Sequence, residues 1–594
     1  MKHTSVLRNI LTLGLFLFIS SGFAQDAPKL DTEKLDDYIE VAMEDWQVPG
    51  IGLAVVYKDQ VLLTKGYGMR NIQEKLPVTA NTLFAIGSSS KAFTATALCK
   101  LAQDGIIDLD EPLRTYLPDF ELQDEYATAH MTPRDLLCHR SGLPRHDLVW
   151  YGSPLEREEL FQTLKYLEPS ASFREVWQYQ NLMYMTAGHL IEEVSGESWE
   201  QYILHNFFNP LEMNSANTSV EESKGKEDYA TGCRKAEKKV EPMLFRNIDA
   251  IGPAGSINAS AEEMAHWVSM QLNGGVYNGE EVIGSAYLSQ THAPHMVVPG
   301  RASKEVFYTS YGLGWFLTSY RGKLRVSHGG NIDGFSAEVC LYPQDSIGVV
   351  LLTNMNGTGI NAVIRNVIAD ELMGLEFIDW NKKVRKEIEE AEANQEEKKE
   401  EDLLQKKGTR PTFELEAYRG TYSHPAYGEV EIANEGDKLQ VIYHVFREPI
   451  ELTHYHYDVF QLAFSGQKIK FQFHTNLDGE IESLSGVLQQ GVEPIVFEKK
   501  TTYEALTDEQ LEVYVGAYEL SGMTATVSVK DGELKLFVPG QPEYTLISLG
   551  NHSFELEDLE GFKAIFKVGE GQEKASAMVS AQPNGSFTFS RKEG

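Results

Sequence analysis

Apolar residues recur at helical spacing near the start of the chain and form continuous short runs just after it. Between residues 30 and 46 they fall on one side of a helix that includes Leu35 and Ile39, so the pattern predicts an amphipathic helix. The apolar runs 51–57 and 61–64 flank a short polar turn and predict a β-hairpin. This region is therefore expected to begin as a helix followed by paired strands.

The spacing of apolar residues changes again further along the chain. Patterns from about residue 104 to 300 are mostly helical, with Gly and Pro between the helices. Strand patterns and a final helix follow at 324–327, 335–342, 347–353 and 360–374. Strands at both ends with helices between them predict an α/β (α+β) fold, in which helices flank one antiparallel sheet and a helical lobe is inserted. The cleft between sheet and lobe is the expected place for a site.

The C-terminal part of the chain contains an internal repeat. The segment 415–422 (LEAYRGTY) returns as 511–518 (LEVYVGAY), and short strands of alternating polarity follow each copy. A repeat of roughly 95 residues with this pattern predicts two small antiparallel β-barrels. A highly charged stretch before the repeat has Glu and Lys at helical spacing and predicts a solvated helical linker.

The N-terminus has the pattern of a secretory signal. Lys2 and Arg8 give a positive region, residues 10–19 an apolar run, and residues 22–24 a small-residue cleavage site. No later apolar run reaches the ~18 residues that span a bilayer. The mature chain is therefore expected to be periplasmic or secreted, with no membrane span after signal cleavage.

These patterns predict five regions along the chain. They are a signal peptide (1–24), an α/β domain (25–380), a charged helical linker (381–411), a first barrel repeat (412–500) and a second barrel repeat (501–594).

Composition narrows the classes of function. The formal net charge of −34 opposes binding to nucleic acid and to anionic membranes. The four cysteines lack Cys-x-x-Cys spacing, which argues against structural zinc and favours buried free thiols. His454 and His456 share a strand face but have no acidic or cysteine partner at metal-binding spacing. We therefore predict no metal and no cofactor.

One stretch, residues 84–101, joins an extended apolar segment to an apolar helix through a glycine. Gly87 is expected to end the extended segment and Ser88 to open the helix, which places Ser88 and Lys91 one turn apart on one face. The helix N-terminus adds unpaired backbone N–H groups and positive dipole density beside the hydroxyl. A desolvated neutral lysine can accept a serine proton, so this pair is a candidate nucleophile and base.

The Ser-x-x-Lys spacing is not specific by itself. It also occurs at Ser223/Lys226 and Ser465/Lys468, and neither pair lies between an apolar segment and an apolar helix. The alternative for Ser88 is a helix N-cap with a solvated lysine. Partners elsewhere in the chain must decide between the two interpretations.

A second group is Tyr179 and Asn181, the one Tyr-x-Asn in the chain, followed by a helix-like apolar run. A phenol near a lysine ammonium can lose its proton and shuttle it between nucleophile and leaving group. The asparagine amide can hold a substrate amide by donating and accepting together. The alternative is a buried tyrosine with a capping asparagine.

A third group is His328-Gly329-Gly330-Asn331 on a predicted strand, which holds the one His-x-Gly in the chain. Two glycines let the backbone approach a ligand closely. The strand N–H after them can form an oxyanion hole with that of Ser88. The alternative is a His-Gly-Gly turn between hairpin strands.

With these three groups in this order, the chain resembles the penicillin-recognising serine hydrolases. That family includes class C β-lactamases, D-alanyl-D-alanine carboxypeptidases, D-aminopeptidases and related esterases. The resemblance covers about residues 30 to 376. It includes further ordered segments at 109–112 (LDEP), 131–143 (MTPRDLLCHRSGL), 210–213 (PLEM), 254–264 (AGSINASAEEM), 342–343 (YP) and 352–354 (LTN).

The resemblance implies roles for the candidate residues. Ser88 would be acylated, Lys91 and Tyr179 would manage its proton, and Asn181 would hold the substrate amide. The segment 328–331 would stand where the family has its Lys-Thr-Gly strand. The tail repeats resemble the lipocalin-like barrels of some members, which can shape access to the cleft.

The chain departs from the family at His328, where many β-lactamases and carboxypeptidases carry lysine. A histidine is mostly neutral near pH 7 and gives no fixed charge for a substrate carboxylate. The main hypothesis is therefore an exported serine hydrolase acting on small peptides, D-amino-acid derivatives or esters. A β-lactamase or D-Ala-D-Ala carboxypeptidase is the first alternative.

A second alternative belongs to another class of function, a non-catalytic protein that binds or senses cell-wall peptides. The presence of Lys91 and Tyr179 together argues against it, because a pure binder has no need of both. A main activity carried by the barrels, with a lipid or apolar ligand, also stays open. So do the identity of the substrate and an oligomeric state.

Overall fold

The structure is a computed structural model in which a large mixed domain precedes two β-barrels. It describes residues 30–58, 60–236, 239–300, 302–396, 404–464, 467–477, 479–501, 503–559, 561–569 and 571–592. The predicted signal peptide lies outside these residues. The described chain divides into two compact units, the first formed by 30–145, 155–165 and 169–396 and the second by 146–154, 166–168 and 404–592.

The first unit combines fifteen described strands with thirteen α-helices. The strands are β1 (Gly50–Tyr57), β2 (Gln60–Asn71), β3 (Leu76–Pro77), β4 (Phe84–Ala85), β5 (Cys233–Ala236), β6 (Lys239–Pro242), β7 (Asn258–Ala259), β8 (Val276–Tyr277), β9 (Glu280–Glu281), β10 (Met296–Val297), β11 (Val306–Tyr311), β12 (Phe316–Tyr320), β13 (Lys323–Ile332), β14 (Phe335–Tyr342) and β15 (Ile347–Thr353). The helices are α1 (Thr32–Trp46), α2 (Ser90–Gln103), α3 (Glu125–His130), α4 (Pro133–Leu137), α5 (Arg157–Thr163), α6 (Asn181–Ser195), α7 (Trp199–Ile203), α8 (Val220–Lys224), α9 (Gly252–Gly255), α10 (Ala261–Leu272), α11 (Ser285–Thr291), α12 (Ile360–Leu372) and α13 (Trp380–Glu396).

Nine of these strands form one sheet in the order β10-β11-β12-β13-β14-β15-β1-β2-β3. Neighbouring strands are antiparallel, and β15 pairs with β1 in the register Ile51↔Thr353 to Tyr57↔Ile347. This pairing joins the first strand of the unit to its last. The predicted α/β fold, with one antiparallel sheet and helices between its two sets of strands, is confirmed.

The central strands are buried on both faces, which explains their continuous apolar sequences. Leu53, Val349 and Leu351 face a core that also contains apolar residues of α1 and α12. The opposite face packs against α10, where the nearest atom to a Cβ added at Gly348 would belong to Val268. A strand covered on both faces loses the alternation of apolar and polar residues that marks an exposed strand.

The second unit contains two closed barrels of eight strands each. The first barrel consists of β16 (Gly420–His424), β17 (Gly428–Glu435), β18 (Lys438–Tyr443), β19 (Ile450–His456), β20 (Val459–Phe464), β21 (Gln467–Thr475), β22 (Ile481–Gly486) and β23 (Ile495–Lys499). The second follows helix α14 (Asp508–Leu511) and consists of β24 (Gly516–Leu520), β25 (Met523–Lys530), β26 (Glu533–Phe537), β27 (Glu543–Gly550), β28 (Ser553–Leu556), β29 (Lys563–Lys567), β30 (Ala577–Gln582) and β31 (Gly585–Arg591). The prediction of two antiparallel barrels is confirmed.

The repeated sequence forms the same tyrosine hydrogen bond in both barrels. The Tyr422 hydroxyl donates to the Tyr418 carbonyl oxygen at 2.8 Å, and the Tyr518 hydroxyl donates to the Tyr514 carbonyl oxygen at 2.7 Å. Tyr418, Tyr422 and Tyr518 are fully buried, and Tyr514 is nearly so. Buried tyrosines need a partner for the hydroxyl, and the carbonyl four residues earlier supplies it.

Three further sequence predictions concern the cysteines, the charged linker and membrane spans. All four cysteines are free and buried, as predicted. Helix α13 covers the first part of the predicted linker, and residues 397–403 lie outside the description. Across the described ranges, no helix is both long enough and apolar enough to cross a membrane.

Candidate active site

Ser88 lies in a tight turn between β4 and α2. Gly87–Ser89 form a 3₁₀ turn, and the α-helix begins at Ser90, so the helix opens slightly later than the spacing predicted. Gly87 has a φ of +51°, and a Cβ at this position would come within 2.8 Å of the Asn331 backbone nitrogen. Only glycine suits both the backbone angle and this close approach.

Lys91 is fully buried, so the alternative of a solvated lysine is wrong. Its Nζ contacts the Ser88 Oγ at 3.2 Å, the Asn181 Oδ1 at 2.8 Å and the Ala254 carbonyl oxygen at 2.7 Å. Ala254 belongs to the last turn of the short helix α9, whose final carbonyls have no partner within the helix. These contacts hold the lysine amine beside the serine hydroxyl.

Tyr179 and Asn181 reach the same place from the start of α6. Gln180 caps this helix, because its side chain accepts from the Leu182 N–H at 2.7 Å, and Asn181 is the first helical residue. The capping role therefore belongs to Gln180 and not to Asn181. The Lys91 Nζ lies 4.8 Å from the centroid of the Tyr179 ring, within the range of a cation–π interaction.

His328 is buried on β13, and each of its two ring nitrogens takes part in a hydrogen bond. Its Nδ1 lies 2.7 Å from the Gly329 carbonyl oxygen, which can only accept, so Nδ1 carries a proton. Its Nε2 then accepts from the Tyr311 hydroxyl at 2.9 Å. Burial, followed by the nearby Lys91 charge, lowers the pKa of His328 to about 3. The ring is therefore neutral at physiological pH.

The two glycines after His328 allow β13 to lie against the turn that carries Ser88. A Cβ at Gly330 would be 1.8 Å from the Ile86 carbonyl oxygen, whereas one at Gly329 would meet its nearest atom, of Glu338, at 3.3 Å. Ser89 ties the same turn to the strand, since its hydroxyl donates to the His328 carbonyl oxygen at 3.0 Å. The His-Gly-Gly segment is thus part of a strand and not a hairpin turn.

Asn331 contributes differently through its backbone and its side chain. Its backbone nitrogen faces Gly87, next to Ser88. Its side-chain Oδ1 accepts from the Gly357 N–H at 2.9 Å and from the Ser336 hydroxyl at 3.1 Å. The side chain therefore fixes the end of the strand, and the backbone is the part that faces the turn containing Ser88.

The structure brings together all the candidate residues named from the sequence, and it adds groups that sequence reasoning missed. Tyr311 was not identified because it belongs to none of the three motif groups and lies before residue 324, where the predicted strands resume. The Ala254 oxygen is a backbone atom, which no residue pattern can indicate. His139, whose ring centroid is 4.3 Å from that of Tyr179, occurs in a segment quoted only for its family resemblance.

Comparisons with known proteins show the family of this chain. A family model described as Beta-lactamase matches residues 35–372, and one described as a domain of unknown function matches residues 404–499. The unguisins hydrolase of Aspergillus campestris is 30% identical over 424 residues, which cover 67% of this chain and 77% of that protein. Protein flp of Staphylococcus aureus is 25% identical over 343 residues, which cover 56% of this chain and 65% of that protein.

A solved structure shows the same fold. The octameric penicillin-binding protein homologue from Pyrococcus abyssi aligns with a TM-score of 0.53 and 22% identity, over 79% of this chain and all of that chain. The Beta-lactamase model covers more than half of the chain, and the Aspergillus hydrolase is similar over two thirds of it. The chain therefore belongs to the beta-lactamase family of serine hydrolases.

Proposed function

We propose that this chain is an exported enzyme that forms an acyl-enzyme on Ser88 and cleaves amide or ester bonds in small peptides, D-amino-acid derivatives or related substrates. The observation that carries the proposal is the 3.2 Å contact between the buried Lys91 Nζ and the Ser88 Oγ. Nucleophilic serines need such a proton acceptor within hydrogen-bond reach. Similarity to a fungal protein named as a hydrolase supports the same chemistry.

The proposed acylation step starts from the form in which Lys91 is a neutral amine and not the ammonium whose charge acts on His328. Ser88 Oγ attacks the substrate carbonyl carbon while its proton passes to this amine. A C–O bond forms, and the carbonyl π electrons move onto the oxygen. The backbone N–H groups of Ser88 and Asn331 donate to this oxyanion. When the tetrahedral intermediate collapses, the amine or alcohol leaves and takes a proton through Tyr179.

Deacylation reverses the proton transfers. A water molecule gives up a proton to the Lys91 and Tyr179 pair as its oxygen attacks the ester carbonyl of the acyl-enzyme. The Ser88 oxygen leaves and regains its proton, and the carboxylic acid product departs. Asn181, whose Oδ1 already accepts from Lys91, is proposed to hold the substrate amide during both steps.

The neutral His328 favours some substrates over others. A lysine at this position would attract a substrate carboxylate, whereas a buried neutral imidazole offers only hydrogen bonds. We therefore favour aminopeptidase, amidase or esterase activity over β-lactamase or D-Ala-D-Ala carboxypeptidase activity.

Intact mass spectrometry with an active-site probe tests the nucleophile. Wild type, Ser88→Ala and Ser223→Ala are incubated with a fluorophosphonate and, separately, with a penicillin. Ser223 is the matched control, because it has the same Ser-x-x-Lys spacing but its hydroxyl donates to Asn217. We expect one fluorophosphonate adduct on wild type and Ser223→Ala, and none on Ser88→Ala.

Each outcome has a definite meaning. An adduct that maps to the Ser88 peptide supports the proposal, and a panel of D-amino-acid amides, short peptides and esters then identifies the substrate class. A penicillin adduct on the same serine would favour the β-lactam or carboxypeptidase alternative. Folded wild-type protein without any adduct would contradict the proposal and favour a binding or sensing role.

Export is tested separately from activity. The proposal predicts a mature chain that begins at Gln25 and is recovered from the periplasm or the medium. N-terminal sequencing of protein from each cell fraction checks this. An intact N-terminus on protein confined to the cytoplasm would contradict it.

A further inference from the structure

His139 lies against Tyr179 and has a left-handed backbone conformation. It follows Cys138, the C-cap of α4, with a φ of +61°, and its side chain is fully buried. A left-handed backbone is uncommon for a residue with a Cβ, although asparagine, aspartate and histidine adopt it more often than the others. In this conformation the buried ring lies against that of Tyr179.

Two hydrogen bonds to His139 flank Tyr179. The Gln178 N–H donates to the His139 carbonyl oxygen at 2.9 Å, and the Gln180 N–H donates to His139 Nδ1 at 3.1 Å. The residue between these two amides is Tyr179, whose ring centroid is 4.3 Å from that of His139. One histidine thus fixes the backbone on both sides of the tyrosine and contacts its ring.

The tautomer of His139 follows from these bonds. A backbone N–H can only donate, so Nδ1 is an unprotonated acceptor and Nε2 carries the proton. Burial, followed by the positive charge of Lys91, holds the pKa of His139 well below its usual value. Protonation of Nδ1 would break the bond to Gln180, so the neutral ring is the form that holds the loop.

The other ring nitrogen has no obvious structural use. His139 Nε2 is buried and makes no hydrogen bond to any residue that the structure describes. A buried unpaired donor is destabilising, and an apolar side chain would avoid that cost. A histidine differs from an apolar residue at this position because its Nδ1 accepts a hydrogen bond from the Gln180 N–H. A buried polar atom without a partner needs an explanation, and a role at a functional site is one.

We propose that His139 is a positioning residue, whose Nδ1 holds the Gln180 amide and so keeps Tyr179 in place over Lys91. The inference rests on the acyl-enzyme mechanism proposed for Ser88, because the position of Tyr179 matters only if that tyrosine moves protons in it. A displacement of a proton-transfer group by about 1 Å is sufficient to slow a reaction by about 10²-fold.

Two substitutions separate the acceptor from the ring. His139→Asn can place its Oδ1 near the position of Nδ1, and His139→Gly has no acceptor. Both residues suit a φ of +61°. The rate of fluorophosphonate labelling at Ser88 and the KM and kcat for an ester substrate are measured, with near-UV circular dichroism as a check on folding.

We expect His139→Gly to lower the labelling rate and kcat by roughly 10-fold or more with little change in KM, and His139→Asn to recover to within about 3-fold of wild type. Equal losses in the two variants would mean that the ring only fills space, which would overturn the inference. So would an unchanged rate in His139→Gly.

If His139→Gly does not fold, His139→Gln takes its place. Its longer side chain brings the amide closer to the position of Nε2 than to that of Nδ1, so we expect a slower rate than in His139→Asn. A rate equal to or above that of His139→Asn would overturn the inference. Wild type that fails to label at Ser88 would instead refute the mechanism on which the inference rests.

Discussion

Replacing Gly330 with alanine tests directly how closely β13 must approach Ser88, the proposed nucleophile. The added Cβ would lie 1.8 Å from the Ile86 carbonyl oxygen and 2.7 Å from its carbon, both of which are backbone atoms. Neither can rotate away, so the strand and the turn must separate by about 1.2 Å to reach even a 3.0 Å contact. The separation would move the Asn331 N–H away from the turn that carries Ser88.

The expected magnitude follows from this displacement. A misplacement of about 1 Å in a catalytic group costs on the order of 10²-fold in rate, which corresponds to about 2.7 kcal/mol. We therefore expect Gly330→Ala to slow labelling of Ser88 by a fluorophosphonate about 100-fold. The assay is the second-order rate of labelling, measured by intact mass over time.

Gly329→Ala is the matched control on the same strand. Its Cβ would meet the Glu338 Oε2 at 3.3 Å and the Ala337 carbonyl oxygen at 3.4 Å, contacts that need shifts of only a few tenths of an ångström. We expect this variant to keep a labelling rate within about 3-fold of wild type. A wild-type rate in Gly330→Ala, or an equal loss in Gly329→Ala, would refute the reasoning.

Three further changes test other parts of the structure. Tyr311→Phe removes the hydroxyl that donates to His328 Nε2 at 2.9 Å, and we expect a loss of about 1 kcal/mol in stability, read from denaturant unfolding. Because the pKa of His328 is about 3 in the fold and ordinarily 6.5, the unfolded chain binds the extra proton between these pH values. The contribution of this group to stability is complete above pH 6.5 and falls as the pH drops towards 3. His328→Gln should therefore flatten this part of the pH–stability curve, and an unchanged slope would contradict a buried, neutral His328. Tyr422→Phe leaves the buried Tyr418 carbonyl without the donor at 2.8 Å and should destabilise the second unit by about 1 kcal/mol, while labelling of Ser88 is unchanged.

Several features of this protein could be predicted from the sequence because they depend on residues close together in the chain. The periodicity of residues 30–46 predicts α1, and the apolar runs predict the central strands. Each element has apolar residues wherever it faces the core, so the spacing of these residues indicates the type of element. Gly87 followed by Ser88 and Lys91 predicts a nucleophile turn at a helix start. The repeated tyrosine pairs predict two copies of one barrel, because each pair is bonded within a single short segment.

The backbone at Ser88 and the side chain of Asn331 could not be predicted from nearby residues in the sequence. The spacing placed the start of the helix at Ser88, whereas a 3₁₀ turn delays it to Ser90, since packing of β13 against Gly87 sets the backbone there. The sequence placed Asn331 in the strand segment expected to bind substrate, and the structure turns its side chain towards Gly357 and Ser336 while its backbone nitrogen faces Gly87. Side-chain direction depends on neighbours that are distant in sequence.

The sequence by itself determined α1, the central strands, the two barrels and the candidates for the reactive groups. Only the tertiary structure decided that Lys91 is buried, that Asn181 and the Ala254 carbonyl hold its amine, and that His139 fixes the loop beside Tyr179. These contacts join segments that are far apart in the chain, so no local pattern records them. Burial also fixes the charge of His328, because removing a group from water penalises its charged form, and the depth of burial exists only once the sheet and helices have packed.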